Sequence, residues 1–211
     1  MKIAGNELVA MLVATSFAAG LNVYATVATL GLLSRFDVFN LPPALQIVQD
    51  WWVIGACAAL FLLEFVADKI PVVDMVWNAL QTFVRVPVAA LLAYGATASL
   101  SPQTQLASTI LGGVVAMAAH TGKTAVRAGV TPSPEPFSNM ALSTAEDAGA
   151  IGLTWVATSH PYIAAGVVVV LLIGLILIVR WIIRALRSMF RRLRQRFSPS
   201  PDTSSAWNRA A

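Results

Sequence analysis

Long apolar stretches dominate the first 179 residues and restrict what this chain can fold into. A helix needs about 20 mainly apolar residues to cross the roughly 30 Å hydrocarbon core of a bilayer. Because 57% of the residues are hydrophobic and only 11% are charged, the composition excludes both an ordinary soluble domain and a disordered chain. The predicted fold class is therefore all-α, a polytopic membrane helix bundle with about six transmembrane helices. The six candidate spans are residues 8–33, 51–67, 72–98, 106–130, 139–158 and 162–179.

The first candidate span is longer than one membrane crossing requires. Residues 8–33 would measure about 39 Å as a straight helix, and Gly20, Asn22 and Tyr24 lie near their middle. This span must therefore tilt strongly or break there. A cleaved signal peptide is the alternative interpretation because Lys2 precedes the apolar residues, but no polar mature region follows them.

Basic residues are concentrated after the last apolar stretch. Residues 1–179 carry six basic and nine acidic side chains, whereas residues 180–196 carry seven arginines and no acid. Such arginines mark the cytoplasmic side of a span, which places the C-terminus in the cytoplasm. Six crossings return the N-terminus and the turns at 69–71 and 131–137 to that side. The prediction is a multi-pass protein of the bacterial inner (plasma) membrane with both termini cytoplasmic.

The C-terminal arginines define two further segments after a helix bundle over residues 1–180. Residues 181–197 alternate apolar and basic positions at helical spacing, which predicts an amphipathic helix on anionic headgroups. Residues 198–211 are rich in serine and proline, which predicts disorder. Membrane lipids are the predicted partner and no nucleic acid is expected, while a topology signal without lipid recognition is the alternative. The predicted lipid-binding residues are Arg184, Arg187, Arg191, Arg192 and Arg194.

Charged and polar side chains recur within four of the six candidate spans. In residues 72–98 they are four, three and four positions apart, and in residues 106–130 they are three and four apart, so each set occupies one helix face. An ionised side chain at mid-membrane costs about 2.5–3.5 kcal/mol on insertion scales, and it usually faces a cavity or the protein interior. The predicted solute or ion path is formed by Glu64, Asp68, Asp74, Asn78, Gln81, Arg85, His120, Lys123, Arg127, Asn139, Ser143, Glu146 and Asp147.

These stripes of polar residues allow two functions. A small transporter or permease would use them as a cavity for an ion or a small charged solute. A non-transporting membrane scaffold would use them as ion pairs that hold helices in register, and its basic tail would bind a partner or anionic lipid. Stripes that converge on an accessible cavity favour transport, and direct pairing without a void favours the scaffold.

An internal repeat is a further expectation, with two competing offsets. An offset of 65 aligns residues 71–81 with 136–146, both at predicted cytoplasmic helix starts. An offset of 90 aligns residues 63–71 with 153–161, spans of opposite direction, as in transporters with inverted repeats.

Two local sequences resemble a known family. They are Glu-Phe-Val-Ala-Asp-Lys-Ile-Pro-Val-Val-Asp at 64–74 and Ser-Pro-Glu-Pro-Phe-Ser-Asn at 133–139, with residues 113–127 between them. They are similar to a family of bacterial and plant integral membrane proteins catalogued only as a domain of unknown function. The resemblance covers about residues 8–180. It implies an integral membrane fold and supplies no activity.

Other chemistries find little support in the sequence. Two histidines forty residues apart and the single Cys57 do not form a zinc motif. Oxygen ligands for Mg²⁺ or Ca²⁺ are better represented, by Asp74, Asn78, Asn139, Glu146 and Asp147. Asp74 and Asn139, however, each follow a proline at a helix start and are explained by capping. No phosphate-binding glycine loop or nucleophile elbow occurs. The sequence therefore predicts no metal site, no cofactor and no enzymatic activity, and it does not specify the oligomeric state.

Overall fold

The computed structural model describes residues 5–68, 70–130 and 136–197, and over these residues it contains helices and no strand. The predicted all-α fold class is confirmed. The helices are α1 Gly5–Leu21, α2 Val23–Arg35, a 3₁₀ helix (η1) Pro43–Gln49, α3 Trp51–Ala67, α4 Pro71–Ala96, α5 Pro102–Val130, α6 Pro136–Ser159 and α7 Pro161–Phe197.

Proline begins most of the later helices. Because proline lacks an N–H group and has a fixed φ, it is well tolerated in the first turn, where the backbone donors have no helical partner. Except for α3, each helix from η1 onward therefore begins at a proline after a short connection. The five helices that begin in this way start at Pro43, Pro71, Pro102, Pro136 and Pro161.

Five of the six candidate spans correspond to helices α3 to α7. Within the described parts of the chain, two segments are by themselves long and apolar enough to cross a membrane, Val76–Ala96 and Pro161–Trp181. A third arises if η1 and α3, which are bent by 63° relative to each other, form one span. The described residues thus contain two or three apolar segments able to cross a membrane, and the count of six spans is not confirmed.

The first candidate span does not cross the bundle as one helix. It is broken at Asn22 into α1 and α2, and Glu7 of α1 lines the same cavity as Phe39 and Asn40, which follow α2. A straight helix over residues 8–33 would separate these ends by about 39 Å. α1 and α2 are therefore the two arms of a hairpin. The break is one of the two outcomes expected for this span, but its interpretation as a single crossing over residues 8–33 is wrong.

This hairpin also changes the predicted position of the N-terminal end of the bundle. The cavity that Glu7 lines also includes Ser159, at the end of α6. Asp68, after α3, accepts a hydrogen bond from Ser143, which precedes Ser159 by sixteen residues, or about 24 Å of helix. The start of α1 and the α3–α4 turn thus lie at opposite ends of the bundle, contrary to the prediction that they share one side.

The first helix is the central element of this bundle. α1 packs against α4, α5 and α6, and most of its side chains from Leu8 to Gly20 are buried. Small residues permit the close approach: a Cβ at Gly20 would lie 2.4 Å from the carbonyl oxygen of Ala116, and one at Gly112 would lie 2.7 Å from Ala93 Cβ. Small residues at helix contacts are characteristic of membrane bundles, where close van der Waals packing holds helices together.

The C-terminal helix is unusually long. α7 has 37 residues and continues without a helix end from the predicted sixth span into the basic segment 181–197. The chain divides into two compact units, residues 1–172 and 173–211. The first contains the hairpin, α3 to α6 and the start of α7, and the second contains the rest of α7. The predicted disordered segment 198–211 lies outside the described residues.

Cysteine labelling tests the hairpin. In a Cys57→Ser background, single cysteines replace Glu7, Asn40 and Ile70. Because the two arms return to the same end, we expect a membrane-impermeant reagent to label Glu7→Cys and Asn40→Cys from one side and Ile70→Cys from the other. Labelling of positions 7 and 40 from opposite sides would contradict the hairpin and restore a single crossing.

Candidate functional site

Asn22 forms the turn between the two arms of the hairpin. Its backbone is extended, with φ −150° and ψ 105°, and its side-chain Oδ1 accepts a hydrogen bond from the amide of Ala25 at 3.0 Å. Asparagine is among the preferred N-cap residues because it satisfies such free amides. Its Nδ2 donates to Asp147 Oδ1 at 2.8 Å. One fully buried side chain therefore caps α2 and connects it to α6.

The break leaves backbone carbonyls in the interior of the bundle. In a continuous helix the carbonyls of Gly20 and Leu21 would accept hydrogen bonds from amides four residues later. Here Arg85 Nη1 donates to Gly20 O at 3.3 Å, and Lys123 Nζ donates to Leu21 O at 3.2 Å. Cations suit this position because the C-terminal end of a helix carries partial negative charge. We refer to residues 20–22 as the hairpin tip.

The two cations at the tip also pair with acids. Arg85 Nη2 forms an ion pair with Glu64 Oε1. Lys123 Nζ lies 3.6 Å from Glu64 Oε1, 3.7 Å from Asp68 Oδ2 and 3.2 Å from Glu146 Oε2. Lys123 thus contacts acids supplied by α3, by the residue after α3, and by α6.

A second arginine completes this arrangement. Arg127 Nη2 lies 2.6 Å from Asp68 Oδ2 and 2.7 Å from Glu146 Oε2. Ser143 Oγ donates to the same Asp68 oxygen at 2.9 Å. The side chains of these ion pairs are at most 9% exposed, so they interact in an environment of low dielectric constant. We define the buried charge cluster as Glu64, Asp68, Arg85, Lys123, Arg127, Glu146 and Asp147.

His120 lies beside the cluster as a hydrogen-bonded residue. Its Nδ1 is 3.1 Å from Arg85 Nη1, and its Nε2 is 2.8 Å from Thr82 Oγ1. Because a guanidinium has no acceptor, Nδ1 must accept and Nε2 must carry the hydrogen if both contacts are hydrogen bonds. One ring nitrogen of His120 therefore contacts Thr82, and the other helps to orient the Arg85 side chain.

The sequence identified most residues that meet here. The structure brings together nine of the predicted path residues: Glu64, Asp68, Arg85, His120, Lys123, Arg127, Ser143, Glu146 and Asp147. Gln81 is buried and donates to Tyr24 Oη at 3.1 Å, and Asn78 is buried on the same helix. The side chains of Asp74 and Asn139 lie outside what the structure describes.

Sequence reasoning missed the hairpin tip as part of the site. The sequence predicts a tilt or a break near Gly20, Asn22 and Tyr24. It predicts neither the contact of Asn22 with Asp147 nor the binding of cations by the carbonyls of the tip. A signal was present: a buried amide in an apolar stretch requires partners, and the polar stripes on other helices were candidates for them.

Two cavities are distinct from the cluster. One, of about 210 Å³, lies at the end of the bundle where the hairpin arms return, and its lining includes Glu7, Phe39 and Ser159. The other, of about 630 Å³, is an open groove on α6 between Met140 and Ala148. No residue of the buried charge cluster lines either cavity. No group of three metal-ligating side chains occurs among the residues with described positions.

The arginines predicted to bind lipid belong to α7. Arg184, Arg187 and Arg191 are exposed on this helix, and the side chains of Arg192 and Arg194 are not among those described.

The comparisons with known proteins bear on the part of the chain that holds this site. One family model, a domain of unknown function, DUF4126, matches residues 9–181. The chain belongs to the DUF4126 family. The DUF4126 match includes the hairpin tip and the whole buried charge cluster, and it confirms the resemblance inferred from the sequence. No curated protein and no solved structure gives a significant match.

A double-mutant cycle tests whether the charges depend on each other. Removing one partner of a buried ion pair costs about 3–5 kcal/mol, so Arg85→Met should lower the free energy of unfolding in mixed micelles by about that amount. Glu64→Gln combined with Arg85→Met should restore part of the loss. The matched control is Arg35→Met, which removes an exposed arginine 5.3 Å from the Trp51 ring and should cost about 0.5–1 kcal/mol. Equal costs for Arg85→Met and Arg35→Met would contradict the pairing.

Proposed function

We propose that the protein is a small transporter or permease that moves an ion or a small charged solute through its polar interior without catalysing a reaction. The observation that supports it is the hairpin tip, a helix break inside the bundle that meets the buried charge cluster. Non-helical backbone at membrane depth is tolerated where it is enclosed by protein or lines a cavity. In secondary transporters such breaks form solute and ion sites near the membrane midplane.

The geometry at the tip suits exchange with a solute. Arg85 and Lys123 hold the tip carbonyls at 3.3 and 3.2 Å, whereas Arg127 holds its carboxylates at 2.6 and 2.7 Å. The contacts to the tip are longer, and they end on neutral carbonyls, so they are the weaker set. A charged solute could replace them while the Arg127 pairs keep α5 and α6 together.

A membrane scaffold is the second candidate function. It is favoured by the direct pairing of carboxylates and bases and by the position of the two cavities, which the cluster does not line. In that case the charges would serve only to hold the helices in register.

Flux measurements in proteoliposomes separate the two functions. The screen uses small cations, anions and zwitterions, and it compares Arg85→Ala with the exposed control Arg35→Ala. We expect at least one solute to move, and Arg85→Ala to slow it by about tenfold or more, because a hydrogen bond to a charged group contributes about 1.5–3 kcal/mol. If no solute moves and Arg85→Ala changes only the melting temperature, the scaffold replaces the transporter.

We further propose that the arginine-rich end of α7 faces the cytoplasm of a bacterial inner membrane. The start of α7 then lies on the outer side. Pro161 lines the same cavity as Glu7 and Asn40, so the hairpin would open toward the outside and its tip would reach inward from there. In this orientation the C-terminus is cytoplasmic, as the sequence predicts, whereas the start of α1 lies on the outer side and not in the cytoplasm.

The basic segment is proposed to bind anionic lipid. Replacing the five arginines from 187 to 196 with glutamine should weaken binding of the isolated 180–211 peptide to anionic vesicles, because each basic residue near such a surface contributes about 1 kcal/mol. Co-sedimentation measures the binding, and zwitterionic vesicles provide the control. Equal binding of the two peptides to anionic vesicles would show that the arginines act only as a topology signal.

A further inference from the structure

The buried charge cluster does not contain equal numbers of acids and bases. Among the described residues it has three cations, Arg85, Lys123 and Arg127. It also has four carboxyl groups, those of Glu64, Asp68, Glu146 and Asp147. With every group ionised its net charge is −1. A net charge enclosed by protein is energetically costly, and such sites usually become neutral by binding a counter-charge.

The surplus charge can be assigned to one residue. Among the described residues, the ion pairs of the cluster join the cations to Glu64, Asp68 and Glu146. Asp147 is in none of them, and its hydrogen bond is to the neutral amide of Asn22 at 2.8 Å. Its second oxygen, Oδ2, is buried without a hydrogen-bond partner, and the residue is only 4% exposed.

The described groups around Asp147 do not supply the missing positive charge. Lys123 of α5 attracts the carboxylate of Asp147 electrostatically, but the carboxylates of Asp68 and Glu146 repel it. Glu64 of α3 repels it as well. At the hairpin tip, Asp147 contacts Asn22, which is neutral. Lys123 itself already pairs with the other three carboxylates.

We propose that Asp147 binds one proton and that, in the transporter proposed above, this proton is coupled to movement of the hairpin tip. A hydronium ion from the solvent supplies the proton: one of its O–H bonds breaks, an O–H bond forms at Oδ2, a water molecule is left, and the cluster becomes neutral. Oδ1 remains an acceptor in the neutral acid, so the hydrogen bond from Asn22 is retained. Loss of the proton to water leaves an unpaired carboxylate beside Asn22, which caps α2. The protonation of Asp147 therefore acts directly on the residue that forms the turn of the hairpin.

A proton fits this position better than a metal ion. Sodium or potassium would need several oxygen ligands, but the tip carbonyls of Gly20 and Leu21 already accept hydrogen bonds from Arg85 and Lys123. The described residues contain no cluster of three metal-ligating side chains at this position. A proton requires only one oxygen without a partner. Glu64 Oε2 and Asp68 Oδ1 also lack a hydrogen-bond partner, but both of these side chains are in ion pairs, whereas that of Asp147 is not.

Infrared spectroscopy of the full-length protein tests the proton site without requiring transport. We expect a carbonyl band of a protonated carboxyl group at neutral pH, and its loss in Asp147→Asn, a variant of the same shape that imitates the neutral acid. Asp50→Asn, at an exposed position outside the cluster, is the matched control and should retain the band. A band that persists in Asp147→Asn would assign the proton to another group and overturn the proposal.

Two further results separate this inference from the proposed function. If the unmodified protein lacks the band, the proton site is overturned, even if solute flux is observed. This holds whether or not the protein binds sodium or potassium. A band lost in Asp147→Asn together with no flux for any solute would support the proton site and remove transport. Where flux occurs, we expect a proton gradient to drive it in the unmodified protein and not in Asp147→Asn. If the gradient increases solute flux equally in the two proteins, the coupling is overturned.

Discussion

A charged side chain removed from water must find its partners inside the protein, and this requirement determines how the bundle is assembled. Arg85 and Lys123 each have two kinds of partner. Each contacts at least one carboxylate and also donates a hydrogen bond to a carbonyl of the hairpin tip. Without the tip these cations would lose acceptors, and without the cations the tip carbonyls would be buried without donors. The break in the N-terminal helix and the charges on the other helices therefore stabilise each other.

Close helix packing makes these contacts reachable. Gly20 lies directly against Ala116, and Gly112 against Ala93, so α1, α4 and α5 approach one another along surfaces of small side chains. Larger residues would move the helices apart and draw the cations away from the tip. The alanine- and glycine-rich interior is thus a condition for the polar site as well as a feature of the packing.

The sequence predicted the helices and the polar faces because both depend on local spacing. The stripes on α4 and α5 follow from intervals of three and four residues, and the structure places Arg85, Lys123 and Arg127 together. The hairpin could not be predicted in this way, because apolar length does not distinguish a helix that crosses from two arms that return. The partner of Asn22 is 125 residues distant. The predicted orientation depends on the number of crossings. Because the first span is a hairpin and not a crossing, the N-terminal end lies at the opposite end of the bundle from the predicted one.

The hairpin also has a consequence for biosynthesis. Its arms emerge from the ribosome before α4, α5 and α6, which carry the groups that satisfy its tip. At roughly 5–20 residues per second, the 125 residues between Asn22 and Asp147 take roughly 6–25 seconds to synthesise. During that interval the tip must be hydrated or held by the insertion machinery. The hairpin therefore reaches its final position only after α6 has been synthesised, long after its own arms have left the ribosome.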